Sequence, residues 1–197
     1  YFKILNMQYS LNYAPEKTGI GKYNGEMCEA ISDIYGYSVT ALVAPPYYPN
    51  WEVEHSYSSF LYKSENINEV KVIRSPLYVP SKVTTFKRLL HLSTFSVSSS
   101  IALLIEFIKN KPDVIFLVQP TLFCAPATLL FSKLFGVKTI LHIQDFEVDA
   151  MFGLGMVSEG KIAKIVRRTE SWLMKKFDVV SSISYSMLEN AERKGVD

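Results

Sequence analysis

Cysteine is scarce: Cys28 and Cys124 are the two in 197 residues, and they form no Cys-x-x-Cys spacing. Both lie in apolar helical patterns, so they read as reduced, buried thiols suited to a reducing compartment, not as a disulfide framework. Histidine is also sparse. His55, His91 and His142 stand far apart, and none has cysteines or carboxylates at ligand spacing, so no metal is expected. Charge of one sign is missing too, since 21 Lys and Arg against 19 Asp and Glu leave a net +2. The 12 Tyr and 12 Phe are scattered, not interleaved with arginine, and nucleic acid is not an expected partner. No run is apolar enough to span a bilayer: the uncharged stretch 89–105 carries Ser93, Thr94, Ser96, Ser98, Ser99 and Ser100. The chain opens without a charged and apolar leader followed by a small-residue cleavage site, so no signal peptide is expected.

Three loop motifs are absent as well. In Tyr13-Ala-Pro-Glu-Lys-Thr-Gly-Ile-Gly-Lys-Tyr-Asn-Gly25 the third glycine comes one residue too late for Gly-x-Gly-x-x-Gly. The acid that would hold a ribose about 20 residues on is replaced by the run Ala44-Pro45-Pro46-Tyr47, which disfavours a nicotinamide dehydrogenase. A phosphate-binding loop of the kinase or ATPase kind fails because Glu16 takes the first glycine position and Tyr23 the hydroxyl position. No Gly-x-Ser-x-Gly elbow occurs, so a covalent serine hydrolase has no support.

What is present is ordinary globular material, 48% apolar and 20% charged, enough for one domain with a core. Apolar, β-branched runs at 2–7, 38–44, 70–74, 113–118, 137–143 and 178–183 read as buried strands. Helical patterns at 21–35, 86–109, 123–135, 161–176 and 185–194 alternate with them. This order predicts an α/β fold, a doubly wound, mostly parallel, Rossmann-like sheet. Two connections, 45–69 and 144–160, are too long for turns and leave strand ends where such sheets bind ligands. In the 161–176 helix, Ile162, Ile165, Val166, Trp172 and Leu173 approximate one face, and Lys161, Lys164, Arg167 and Arg168 take much of the other. That basic face is either a solvated surface or a contact for anionic phospholipid or a diphosphate-bearing acceptor.

Two segments carry candidate chemistry. Gly19 and Gly21 open a helix whose free N–H groups would let the backbone approach a phosphate or a sugar hydroxyl; alternatively they only make a tight strand-to-helix turn. In Thr139-Ile-Leu-His-Ile-Gln-Asp-Phe-Glu-Val-Asp149 an apolar strand runs out into polar residues. His142 and Gln144 lie two apart and face one side, and Asp145 begins the loop, where a carboxylate can bind a sugar hydroxyl or assist proton transfer. The competing readings are a satisfied core histidine and a helix-capping aspartate.

The glycine segment through Met27, Ala44-Pro-Pro-Tyr-Tyr-Pro, Pro76-Leu-Tyr-Val-Pro, Leu122-Phe-Cys-Ala-Pro and His142-Ile-Gln-Asp-Phe-Glu-Val-Asp-Ala occur in one order across the whole chain. In this the sequence resembles glycosyltransferase family 4, and within it the colanic acid biosynthesis enzymes. The resemblance implies the N-terminal, acceptor-side half of a two-domain GT-B glycosyltransferase, over residues 1–197, with the donor-binding domain outside this chain. It implies a retaining transfer from a nucleotide sugar to a glycan or polyprenyl-diphosphate-linked acceptor in cell-surface polysaccharide synthesis, with no cofactor or metal. It also implies a cytoplasmic place, peripheral on the inner face of the membrane, with an anionic lipid surface as a partner. Many relatives carry His-Asp where this chain has Gln144-Asp145. The catalytic candidates are Asp145, Gln144 and His142; the substrate-binding candidates are Gly19, Ile20, Gly21, Lys22, Tyr47 and Glu147. Two alternatives share the fold: a non-catalytic sugar- or nucleotide-binding module, and a GT-B sugar-nucleotide epimerase.

Overall fold

Strands with both faces covered need apolar side chains on both, and the second strand shows this best: Val39, Ala41 and Val43 point one way, Thr40 and Leu42 the other, and all are buried. A computed structural model describes residues 5–17, 19–120, 122–146, 148–149 and 160–196. Its strands are β1 (Leu5–Tyr9), β2 (Ser38–Val43), β3 (Lys63–Ile67), β4 (Val70–Arg74), β5 (Val114–Gln119), β6 (Lys138–Ile143) and β7 (Val179–Ser182). Among the described residues they form one seven-stranded sheet in the order β3-β4-β2-β1-β5-β6-β7. Every neighbouring pair is parallel except β3 with β4. The doubly wound, mostly parallel α/β fold read from the sequence is therefore the fold.

The helices are α1 (Gly19–Tyr35), α2 (Thr85–Lys109), α3 (Ala125–Phe135), α4 (Lys161–Met174) and α5 (Tyr185–Arg193), with a short 3-10 turn at Leu122–Cys124 before α3. Local chemistry sets several of their starts. Thr84 and Ser184 accept the Lys87 and Met187 amides as N-caps of α2 and α5, and a proline sits in the first turn of α3. On one face of the sheet α1 packs Cys28 against Val39, Ala41, Val43, Val70 and Val72. On the other, α2 lays Leu92, Phe95, Leu103 and Phe107 over Tyr9, Leu42, Ile115 and Leu117, and Phe107 meets Phe135 of α3 edge-on at 5.5 Å.

Three local expectations are corrected. The stretch 45–69 is not all loop, because it contains β3, an edge strand whose Lys-Ser-Glu-Asn-Ile pattern alternates half-buried and exposed residues in place of a continuous apolar run. Its turn to β4 is the pair Asn68 and Glu69 at φ 47 and 64, the two-residue hairpin geometry that favours asparagine. Strand β1 runs on to Tyr9, two residues past its expected end, its buried Gln8 donating from Nε2 to Ser10 Oγ at 2.7 Å; residues 2–4 lie outside the described residues. Helix α4 turns Ala163, Glu170, Leu173 and Met174 inward, leaving Ile165, Val166 and Trp172 exposed. The unexpected member of that inward face is charged: Lys194 reaches Glu170 Oε2 at 2.7 Å and Asp149 at 2.8 Å, so the carboxylate is buried with a partner.

Helix α2 is long and apolar enough to cross a membrane by length and composition alone. Its four inward side chains nevertheless lie in the core beneath it. The orientation gives a direct check. Phe95 is fully buried while Val97 is 67% exposed, so Phe95→Ala should cost about 3–5 kcal/mol and Val97→Ala less than about 0.5 kcal/mol in urea unfolding. Comparable losses at both positions would mean the helix is rotated.

Candidate active site at the carboxyl edge

Beyond the last paired residues of β1, β2, β4 and β6 the chain keeps its alignment for one more step. Ser10 N–H reaches Leu42 O, Ala44 N–H reaches Leu11 O, Ser75 N–H reaches Val43 O and Gln144 N–H reaches Gln119 O. The loops leaving these strand ends are thus held side by side, and a chain of polar side chains crosses them. Gln144 Nε2 donates to Asn24 Oδ1 at 3.2 Å, and Asn24 Nδ2 donates to Asn12 O at 2.9 Å. Asn12 Nδ2 donates to Glu16 Oε2 at 3.0 Å, and Glu16 Oε1 accepts the Tyr47 and Tyr48 amides at 3.2 and 3.1 Å. Five links join the loop after β6, helix α1, the loop after β1 and the loop after β2.

Glu16 is 6% exposed. Burial pushes its carboxyl above the ordinary value, opposed by the Tyr48, Asn12 and Tyr47 bonds and by the Arg74 charge. Arg74 is itself buried at the end of β4, donating to Ala14 O, to Ala44 O at 3.2 Å and to Glu65 Oε1 at 2.9 Å. It ties the same two loops and, against the upward push of burial and together with Lys63, holds the Glu65 carboxyl lower than usual.

Above Glu16 lies a cavity of about 240 Å3 whose lining includes Asn12, Gly19, Ile20, Gly21 and Tyr47. Tyr48, Trp51, Arg88 and Pro120 complete it. The first turn of α1 thus offers its unpaired amides to this space, next to a guanidinium and two accessible aromatic rings. Gly19 sits at φ +60, and a Cβ on Gly21 would come within 2.6 Å of Glu16 Oε2 and 3.2 Å of Tyr13 N, so both glycines are required by geometry. One wall is an aromatic stack: the Tyr47 ring lies 4.9 Å from His91 and 5.5 Å from Trp51, and Arg88 stands 5.4 Å over the Trp51 ring. Trp51 holds φ 56, a left-handed conformation kept by this packing. His91 Nδ1 lies 2.7 Å from Tyr78 O and therefore carries the proton, so Nε2 accepts from Tyr47 OH at 3.2 Å. Burial drops the His91 pKa to about 4 and lifts that of Tyr47 to about 12, so both are neutral near pH 7.

The structure gathers Gly19, Ile20, Gly21 and Tyr47 at this cavity and ties Gln144 to it through Asn24. Asp145 is exposed where the chain leaves β6. His142 is placed differently, its ring stacked on Phe116 at 5.1 Å with Nδ1 2.9 Å from Ser181 Oγ, between β5 and β7. Lys22 points along the outer side of α1, 3.7 Å from Glu26. Glu147 lies outside the described residues. Sequence reasoning did not assign Asn12, Glu16, Asn24, Trp51, Arg88 or His91 to the site; the one available signal was Glu16 within the glycine segment. Larger hollows of about 670 Å3 beside Tyr37 and Asn110 and about 890 Å3 between α3 and α4 take in none of the candidates. Among the described residues no three His, Cys, Asp or Glu side chains cluster as metal ligands would.

A sugar ring or a diphosphate is what such a lining fits: amides and a guanidinium for oxygen, aromatic faces for the apolar side of a pyranose. The fold defines a Rossmann-like α/β domain, with its cleft at the carboxyl edge where such sheets bind ligands. Comparison with known proteins is specific. The profile of the family described as "Glycosyl transferase 4-like domain" matches residues 18–197, and the chain belongs to that family. It is 49% identical over 191 residues to an Escherichia coli (strain K12) protein named as the colanic acid biosynthesis glycosyl transferase WcaI, covering 95% of this chain and 46% of that protein. Sucrose-phosphate synthase from Thermosynechococcus elongatus superposes with a TM-score of 0.65 at 13% identity, over 99% of this chain and 46% of that one, a likeness of fold. The chain spans about half the length of these relatives.

The buried carboxylate has a pH signature. Unfolded, Glu16 loses its proton near the ordinary value of 4.5, whereas in the fold it keeps it to higher pH. Between the two values the native state binds more protons, so stability falls as pH rises through that window. Glu16→Gln cannot titrate, so the wild-type advantage in urea midpoint should shrink from pH 4.5 towards pH 7. An advantage that grows with pH would mean the ionised carboxylate is the favoured form.

Proposed function

We propose that the full-length protein is a retaining glycosyltransferase and that this domain is its N-terminal, acceptor-side half. The sugar comes from a nucleotide sugar held mainly by a second, donor-binding domain. The acceptor is a glycan, carried on a polyprenyl diphosphate, in the synthesis of a cell-surface polysaccharide. The observation that carries this reading is the convergence of the glycine turn, the Tyr47 loop and Gln144 on one braced cleft in a chain 49% identical to the E. coli protein named above.

In this reading the acceptor ring stacks on Trp51 and Tyr48, and Glu16 fixes the spacing of the two loops that hold it. The acceptor hydroxyl attacks the anomeric carbon from the side the nucleotide leaves. The new carbon–oxygen bond forms as the bond to the phosphate oxygen breaks, and the hydroxyl proton leaves with the departing diphosphate. Glu16, the carboxylate lining the described cavity, is engaged by Asn12 and by the Tyr47 and Tyr48 amides, so in this reading it braces the loops, and rate comes from positioning and from donors aimed at developing charge. The amides of Gly19 to Gly21 face that charge, and Asp145 and Gln144 line the acceptor side. No metal is needed for the step, and the isolated domain is inactive. The enzyme works on the cytoplasmic side, at the inner membrane face where a lipid-linked acceptor resides.

The test is transfer by the full-length protein with a panel of nucleotide sugars and a lipid-linked acceptor. Asp145→Ala and Gly19→Val should each lower kcat/KM by roughly 10²–10³ in folded protein. Full activity in both variants would move the site elsewhere. Binding of a sugar or nucleotide without turnover would favour a non-catalytic module, and conversion of the donor with no acceptor present an epimerase.

A further inference from the structure

Helix α2 has a second face that the core does not use. Opposite its buried side, Phe86, Leu90, Val97, Ile101, Ile105 and Ile108 form one stripe at helical spacing, with Phe86 75%, Val97 67%, Ile101 54% and Ile108 67% exposed. The stripe covers 22 residue steps, about 33 Å. The outer face of a helix packed on a soluble core normally carries charge. Here the lone acidic residue of α2, Glu106, is buried on the inward side and held by Lys71 at 2.8 Å. The exposed face has no negative side chain.

A second element extends the patch. Phe60 and Leu61 stand 87% and 69% exposed in the loop before β3, and Tyr62 OH fixes that loop to the helix by donating to Ser98 O at 2.9 Å. Positive charge frames both ends, with exposed Lys82 just before the helix and half-buried Lys87 in its first turn at one, and exposed Lys109 and Lys111 at the other. Patches of this extent on a monomer mark a surface that something covers. A second copy is a poor occupant, because a two-fold pairing of α2 sets lysines against lysines in either helix direction. A bilayer with anionic headgroups matches both the apolar stripe and its basic ends.

We propose that the outer face of α2, with the Phe60-Leu61 tip, lies in the headgroup region of an anionic membrane. The assignment deepens the reading of the cleft and rests on it: Arg88, on the inward side of the same helix, lines the cavity. One helix thus rests on lipid with one face and borders the acceptor space with the other, so the glycan of a lipid-linked acceptor enters while its tail remains in the bilayer.

The test is sedimentation of the full-length protein with vesicles of phosphatidylcholine alone or with phosphatidylglycerol. Wild type should bind the phosphatidylglycerol vesicles preferentially, and Val97→Glu/Ile101→Glu should weaken that binding roughly thirtyfold with an unchanged circular dichroism spectrum. Phe60→Ser/Leu61→Ser should weaken it too, without touching the helix. Turnover on a water-soluble acceptor should survive in both variants while KM for acceptor in vesicles rises. Equal binding by wild type and Val97→Glu/Ile101→Glu overturns the proposal, as does absence of lipid preference or a wild-type dimer that the glutamates dissociate. Loss of all turnover in wild type would instead count against the transferase reading, which vesicle binding does not measure.

Discussion

Glu16 sets the distance between two loops that leave different strands. Its carboxylate receives two consecutive main-chain amides from the loop after β2 and a side-chain amide from the loop after β1. Arg74 performs the complementary task with carbonyl oxygens of the same two loops, Ala14 and Ala44. A buried negative group gathers donors and a buried positive group gathers acceptors, so main-chain atoms that a loop would otherwise show to water are satisfied inside. Everything at the cleft depends on this pairing, including the place of Tyr47, the approach of Gly21 and the line of contacts out to Gln144.

The arrangement has a cost that is consistent with function. Raising the carboxyl of Glu16 above its ordinary value means the fold gives up some stability near neutral pH to keep the charge where it is. Trp51 likewise holds a backbone conformation that only its packing against Tyr47 and His91 maintains. Strained or poorly solvated groups concentrated beside one cavity are what a preorganised binding site requires, since the ordering is complete before a ligand arrives. The α1 face and the α2 face serve different ends. Helix α1 supplies amides to the cleft, and α2 supplies Arg88 to its wall and His91 behind Tyr47 while presenting a wholly apolar outer stripe.

How much of this was legible follows from where each partner lies in the chain. Strands β2, β4 and β5 were readable because both their faces are largely buried, which forces continuous apolar runs, and β6 because its buried face is mostly apolar. β3 was not, since an edge strand facing water on one side needs no such run. The inward face of α4 was misassigned because a buried glutamate, satisfied by Lys194, takes a place that patterning reserves for an apolar side chain. At the site, glycines and a strand-end Gln-Asp announce themselves locally. Asn24 and Gln144 are 120 residues apart, and nothing in the sequence of either names the other. Glu16, His91 and Arg88 became meaningful only once the fold joined three loops.

The central claim is that the cleft braced by Glu16 receives the acceptor. Amide hydrogen exchange of the full-length protein, with and without an oligosaccharide that supports turnover, tests it most directly. The account predicts slowed exchange in residues 12–24 and 47–52 on binding, with the groove between α3 and α4 unchanged. Protection confined to that groove, or to the hollow beside Tyr37 and Asn110, would contradict it.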